Sequence, residues 1–574
     1  MKLIKQILFI LIVLLISYFS INNFFAFGFF PIHDNTQVQR VYEMGKSLSS
    51  GMFPVRWVED LGYGYGYPIF NFYAPLAYYF GAFFYLLGFN ALLATKIMMV
   101  VGILISGISM YLLGQDLFGD IGGVVSAIFY IYAPYHAVDI FVRGDVGEFW
   151  AYAFIPLVFY SLLKVFKEKK WNYTILGALS YASIILSHNL TAFMLTPFLI
   201  LFIIVFYFFR HDRKDIYHFL LIIILGLGLS SFYVIPAIFE AKYTSVLSQV
   251  GAGADFRNHF VCLSQFWNSP WGFGGSAPGC TDGLSFRLGK LHILASLSAV
   301  VLFFAGFFIE KLKTKVDLTK YKTILCFAFF SIIGVILSIF LMIDLSRPLW
   351  EAVPFMGYLQ YPWRFLIFTS FFTSLLAGFL IWYIGRILLK IKKEKIALVI
   401  AAGILFLLIY TNAKLFVPQR ILNSKSQDFT TRDNLVFQTS KTSDEYMPKS
   451  FDKPIAKNMI PKTRISNQTV EVLHEESSTG EVHSFIKVDR ETNVKINVAF
   501  FPAWSGFLDN KKIPLLEGKS GMIAKVSKGE HALDLFFIQT PVEKMGDSIT
   551  LAFLFILFIG IIFSIKERKN ERKN

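Results

Sequence analysis

The chain has 574 residues, of which 55% are hydrophobic and only 16% charged, against about a quarter charged in soluble domains. Its apolar residues come in blocks of about twenty, the length that crosses a bilayer, which excludes a soluble globular protein. The net charge of +15 does not point to nucleic acid, because the basic residues cluster in short loops between apolar blocks, as the positive-inside rule expects.

In chain order, "MKLIKQILFILIVLLISYFSINNFFAFGFF" has the basic start of a signal peptide. Its apolar core is too long for one and no small-x-small cleavage site follows. We read it as an uncleaved signal anchor spanning roughly 7–28. Further spans are expected near 93–114, 119–135, 149–166, 173–189, 192–209, 216–236, 291–309, 323–343, 363–385, 396–412 and 547–565. The basic loops "KVFKEKK", "RHDRKD", "EKLKTKVDLTKYK", "RILLKIKKEK" and the tail "KERKNERKN" then all lie inside. The inside segments hold 24 Lys and Arg and the outside loops 31–92, 136–148, 237–290 and 344–362 hold nine, which sets the orientation. This parity requires that "NFYAPLAYYFGAFFYLLGF", 71–89, does not cross. Its tyrosines and Pro75 suit a surface helix in the first outside loop, 29–92.

The expected fold class is therefore a polytopic α-helical membrane protein of about 12 spans in the cytoplasmic membrane, both termini inside. Residues 413–465 read as an extended linker. Residues 466–546, with period-two runs such as "EVHSFIKVD" and "HALDLFFIQ", read as an extracytoplasmic β-sandwich. The transmembrane domain is 1–412, and 547–574 form the last helix and basic tail. Cys262 and Cys280 share the loop 237–290, where a disulfide is permitted; Cys326 reads as a packing residue in a span.

Three outside segments carry groups suited to chemistry. In "FFPIHDNTQ", Phe29 to Gln37, His33 and Asp34 follow within about two turns of the first span. Asp34 is either a helix N-cap or a reactive carboxylate at the membrane surface. In "YHAVDIFVRGDVGEFW", 135–150, Asp139, Arg143, Asp145 and Glu148 are either an internal salt-bridge cluster or a patch. Such a patch could orient a sugar, hold a divalent cation on Asp145 and Glu148, and pair Arg143 with a phosphate. In "DLSRPLWEAVPFMGYLQYPWRFL", 344–366, Arg347 and Arg364 either snorkel to headgroups or bind an anion. His188 closes "SYASIILSHNLTAF" and reads as a helix-end residue or a ligand. The sequence has no Walker-type phosphate loop, no G-x-S-x-G and no zinc-type Cys/His spacing. Acids are scarce inside the spans, against a proton-coupled transporter.

The order of a first span, "HD", a long loop with "YPIFNFYAPLAYYFGAFFYLLGFNALLATKI", then "LFGDIGGVVSAIFYIYAPYHAVDIFVRGDVGE" resembles the GT-C superfamily of membrane glycosyltransferases. "RGDVGEFWAYAFIPL", "LSHNLTAF", "YLQYPWRFL" and the segment from "FFPAWSGFLDN" to "LFFIQTP" are similar to a bacterial set known as YfhO-like or 6-pyruvoyl-tetrahydropterin synthase-related membrane proteins. No clustered zinc histidines of a soluble pterin enzyme are present. The resemblance implies a polyprenyl-phosphate sugar as donor, an envelope glycan or lipid as acceptor, and inversion at the anomeric carbon. It further implies Asp34 as general base beside His33, and Arg143, Arg347 or Arg364 on the leaving phosphate. Asp145, Glu148 and His188 would then contact the substrate, or a metal (Mg or Mn) if one is used. The first loop departs from better-known branches in offering His-Asp rather than D-x-D or paired acids. The competing functions are a transporter or flippase of lipid-linked intermediates, and a non-catalytic envelope protein whose β-domain binds glycan.

Overall fold

A computed structural model describes residues 2–210, 213–249, 254–310, 318–390 and 392–571. Parts of the basic loops around 211–212, 311–317 and 391, and the last residues of the tail, lie outside the described residues.

Helices lie in the windows where spans are expected, but fewer than the expected twelve are long and apolar enough to cross. Among the described residues, seven are long and apolar enough to cross a membrane, or nine if each of two bent pairs, Leu3–Ile16 with Tyr18–Phe25 and Lys214–Leu229 with Ser231–Phe239, is one span. One of the seven, Ala91–Ile131, is two helices joined at Gly119, whose φ of 79° only glycine adopts readily. The chain doubles back there: Gly107 lies against Ile131, and Gly114 against Gly123. The expected pair of windows 93–114 and 119–135 is this hairpin. The segment 71–89 forms a helix only over Leu76–Leu86, too short to span. It buries Ala77, Tyr78, Gly81 and Ala82 and exposes Phe83, packing against helix Gln37–Ser49 and the hairpin.

The C-terminal region is built of eight strands: β1 Val470–Ser478, β2 Glu481–Val488, β3 Thr492–Ile496, β4 Trp504–Leu508, β5 Lys511–Ile513, β6 Leu516–Gly518, β7 Gly521–Val526 and β8 Gly529–Phe537. They form two antiparallel sheets, ordered β1-β2-β8-β4-β5 and β3-β7-β6. Period-two burial places Val482, Ile486 and Val488 of β2 and Met522, Ala524 and Val526 of β7 inside. The final helix begins at Pro541, six residues before the expected span.

Residues 413–465 are not an extended linker. They form short helical turns that bury Phe429, Leu435, Val436, Tyr446 and Met447. Hydrogen bonds tie them to the first loop: Gln39 to Asn434 at 2.8 Å, Tyr63 to Asp444 at 3.0 Å and Arg40 to Ser443 at 3.3 Å. The apolar residues of this segment recur at no fixed period, so their burial left no pattern to read.

The first loop is also the seat of the β-region. Trp57, 1% exposed, meets Trp504 and Phe537 with ring centroids 5.4 and 5.5 Å apart. Ala499 N donates to Tyr65 O at 2.9 Å. Arg56 ties the same loop to the last helix through Asp547 at 2.5 Å and to Phe232 O at 2.8 Å. Trp57→Ala is expected to cost about 3–5 kcal/mol and to loosen the β-region first. Limited proteolysis should then cut between 440 and 470 at protease levels the wild type resists; an unchanged digestion pattern would remove Trp57 as the docking residue.

Candidate functional site

Two loops converge because the first runs along the second. His33 N donates to Val142 O at 3.1 Å, Asp34 N to Arg143 O at 2.9 Å and the Gln37 side chain to Gly144 O at 2.8 Å. The backbone of Asp34 is thereby held beside the acidic turn. Asp34 is not a helix cap: the N-cap position of Gln37–Ser49 is Thr36, and no residue among those described hydrogen bonds to the Asp34 carboxylate. Asp34 is an exposed residue whose carboxyl is nonetheless partly desolvated by the protein groups around it. That desolvation and the charge of Asp145 push its carboxyl up, against the opposing pull of Arg40, Arg143 and Arg364.

The second loop closes around one guanidinium. Arg143 is 6% exposed and reaches Asp139 at 2.7 Å, Asp145 at 2.7 Å and Glu148 at 2.9 Å. It also donates to the Tyr135 hydroxyl at 2.9 Å, lies 4.8 Å from the Trp363 ring centre, and Tyr135 in turn donates to Glu148. Asp145 caps helix Val146–Glu168 by accepting from Glu148 N at 3.0 Å. Burial alone would raise the Asp145 carboxyl, but Arg143, His188 and Arg364 with that backbone bond hold it well below the usual range. Asp139 goes the other way: burial and the charge of Glu148 push it well up, more than Arg143 can offset.

Arg364, at the start of the span Pro362–Leu389, enters from the opposite side. Its Nη2 is 4.0 Å from Asp145 and its Nε 3.7 Å from Glu148, while Nε and Nη1 are buried without a hydrogen-bond partner. Trp363 Nε1 beside it is likewise unpartnered. Such donors are costly to leave unmade, and two of them belong to a cation.

His188 follows helix Trp171–Ser187. The approach depends on Gly147, where a Cβ would stand 2.7 Å from Ser187 O, so any side chain would push His188 away. Asp145, Glu148 and His188 each place a ligand atom within 4.8 Å of the others. Two carboxylates and an imidazole are donors a divalent cation takes, although Glu148 Oε2 is already ion-paired with Arg143 at 2.9 Å. His188 Nδ1 accepts from Thr191 N at 3.2 Å and lies 2.8 Å from the Thr191 hydroxyl, so a neutral ring carries its proton on Nε2 and would have to give it up to a cation bound there.

The structure thus gathers Asp34, Arg143, Asp145, Glu148, His188 and Arg364. It does not bring in Arg347, which is exposed and bound to Asp344 at 2.8 Å, a local pair at i,i+3 that keeps the guanidinium on its own turn. His33, next to Asp34 in the chain, turns to the large loop 237–290, its Nε2 lying 3.1 Å from Phe273 O. Cys262 and Cys280 form a disulfide in that loop, with Cα atoms 5.6 Å apart.

Sequence reasoning missed Arg40 and Tyr135. Arg40 is 5% exposed, has no carboxylate within ion-pair distance among the described residues, and lies 4.1 Å from the centre of the Tyr73 ring. The readable signal was the helix Gln37–Ser49 itself: it buries Gln37, Gln39, Arg40, Glu43 and Ser47, too many polar residues for a simple surface helix.

The two arginines have different expected phenotypes. Arg143→Met strands three carboxylates and should cost about 3–5 kcal/mol. Arg364→Gln removes only longer ion-pair contacts, 3.7 Å to Glu148 and 4.0 Å to Asp145, and should cost less than Arg143→Met; thermal unfolding in detergent separates them, and equal losses would contradict the division. Mn²⁺ or Mg²⁺ at a hundredfold excess over its Kd should stabilise the wild type by about 2–3 kcal/mol. Asp145→Asn, Glu148→Gln and His188→Ala should each abolish that gain, and a gain that persists in all three places the ion elsewhere.

Over residues 70–417, more than half of the chain, the sequence matches the family described as 6-pyruvoyl-tetrahydropterin synthase related domain, membrane protein. A Lactococcus lactis subsp. cremoris protein described only as uncharacterized is 22% identical over 234 residues, which are 39% of this chain and 36% of that one. The apo oligosaccharyltransferase of Archaeoglobus fulgidus superposes with a TM-score of 0.47 at 11% identity, covering 80% of this chain and 62% of its own. The arabinofuranosyltransferase AftD from Mycobacteria gives 0.40 at 11% identity, covering 73% and 27%. The chain therefore spans less than two thirds of each of these proteins. On the extent of the family match, the chain belongs to the 6-pyruvoyl-tetrahydropterin synthase-related membrane proteins.

Proposed function

We propose that this chain is a GT-C-type membrane glycosyltransferase that moves a sugar from a polyprenyl-phosphate donor to an envelope acceptor outside the cytoplasmic membrane. The observation that carries the reading is the proximity of an uncapped Asp34 to a cluster of two carboxylates and an imidazole and to an arginine with unused donors. Transfer from a sugar phosphate needs those three functions: a base, charge neutralisation and a hold on the leaving group. The distribution of basic residues among the loops supports a topology with both termini inside and the site and β-region outside.

In this reaction Asp34 takes the proton of an acceptor hydroxyl. The oxygen attacks the anomeric carbon from the face opposite the phosphate, the carbon–oxygen bond to phosphate breaks with its electron pair, and configuration inverts. Nε and Nη1 of Arg364 donate to the departing phosphate oxygens. Asp145, Glu148 and His188 would hold a divalent cation, whose chemistry is to neutralise charge on that phosphate. Arg143 is a positioning residue, holding the two carboxylates in place by its ion pairs.

Purified protein in lipid, offered a panel of polyprenyl-phosphate sugars, tests the reading. Asp34→Asn should lower transfer by about 10²–10⁴-fold with the fold intact; unchanged transfer moves the base elsewhere. Because desolvation pushes the Asp34 carboxyl above the ordinary 3.8, the base is ionised only above that raised value, and kcat/KM should climb with pH through it. The stability sign is opposite. A carboxyl raised by folding contributes stability that is present at low pH and lost as pH rises through its folded value, so Asp34→Asn should unfold no earlier than wild type at neutral pH.

A further inference from the structure

A second site lies away from the acid–arginine cluster and shares no residue with it. Where the first apolar segment ends, residues 24–28 face the start of helix Ala91–Ile131 and residues 424–427 across a groove of about 550 Å³. That volume is within the usual range for ligand sites. Phe25, Phe27 and Leu93 form its lip, 69%, 68% and 41% exposed.

The polar end of the groove carries two lysines, and the neighbouring Asp428 carboxylate is held by Lys425 N at 2.7 Å rather than by either ammonium. Lys96 is 8% exposed, and its ammonium donates to Ala26 O at 2.6 Å. Lys425 stands exposed at the mouth. Among the described residues, neither lysine has a carboxylate within ion-pair distance. The groove also faces the N-terminus of helix Ala91–Ile131, the positive end of its dipole. The side chains of Asn90 and Ser426 accept from Leu93 N at 2.9 Å and Leu92 N at 3.3 Å; they satisfy N–H groups but carry no negative charge. Ala26 O uses one of the three ammonium donors. That bond explains where Lys96 points, and leaves two donors and a buried charge uncompensated, which is unfavourable unless an anion completes it.

An apolar lip joined to a cationic floor is complementary to an amphipathic anion. We propose that this groove is a binding site for an anionic phospholipid, its phosphate on Lys96 and Lys425 and its acyl chain along Phe25, Phe27 and Leu93. The lipid buttresses the junction of the first helix, the Ala91–Ile131 hairpin and segment 424–427, and the site stands whether or not the chain transfers sugar.

Native mass spectrometry of the full-length protein in detergent tests this, with phosphatidylglycerol and phosphatidylcholine of equal chain length. Wild type should retain phosphatidylglycerol in preference to phosphatidylcholine. Lys96→Gln should weaken that retention about tenfold, and Lys425→Gln by a smaller factor, with phosphatidylcholine unaffected. If Lys96→Gln fails to fold, exposed Lys425→Gln and the groove-filling Leu93→Trp carry the test. Phosphatidylglycerol retained equally in all variants overturns the site. Inorganic phosphate that displaces phosphatidylglycerol from wild type overturns the lipid as its occupant.

Discussion

The buried guanidinium of Arg143 is the interaction on which the site depends. Three carboxylates, Asp139, Asp145 and Glu148, lie within 2.9 Å of it in a region where an unpaired charge is costly. Without that cation the turn 139–148 would repel itself, the cap on helix Val146–Glu168 would loosen, and the backbone that receives Asp34 would lose its shape. Tyr135 and Trp363 complete the enclosure, one by hydrogen bonding and one by offering its ring face.

Around this fixed centre the other charged groups are left with spare capacity. Arg143 is fully engaged; Arg364, close to the same acids, keeps two buried N–H-bearing nitrogens unpartnered. Asp34 makes no hydrogen bond through its carboxylate, and its surroundings favour the neutral form. A saturated ion pair beside unsaturated groups is the division expected between a scaffold and the atoms that meet a substrate, because binding energy is available only from donors and charges not already spent within the fold.

The first loop links this chemistry to the rest of the molecule. Its helix Gln37–Ser49 carries Gln37 to Gly144 and Arg40 to Tyr73, while the stretch that follows receives Trp504 and Phe537 on Trp57 and Asp547 on Arg56. Segment 413–465 packs on the same loop. The β-region, the last helix and segment 413–465 thus all pack on the loop that also holds Asp34.

The sequence by itself determined what depends on local composition and period. Blocks of apolar residues mark the helices, and alternation in "EVHSFIKVD" and "HALDLFFIQ" marks β2 and β8. The acidic turn at 139–148 and the disulfide pair were legible because their members lie close in the chain. Short strands such as β4, interrupted by Gly506, and the packed segment 413–465 were not, having too few residues per period. Tertiary structure alone decided that Asp34 is not a cap, that Arg364 joins the acids while Arg347 does not, and that His188 reaches Asp145 and Glu148. Those outcomes rest on contacts between residues tens to hundreds of positions apart, such as Asp34 N to Arg143 O and Arg364 to Glu148. Local pattern carries no information about such pairs: which chain crosses which is settled by the packing of whole helices and by the cost of burying charge, not by any one segment's preferences.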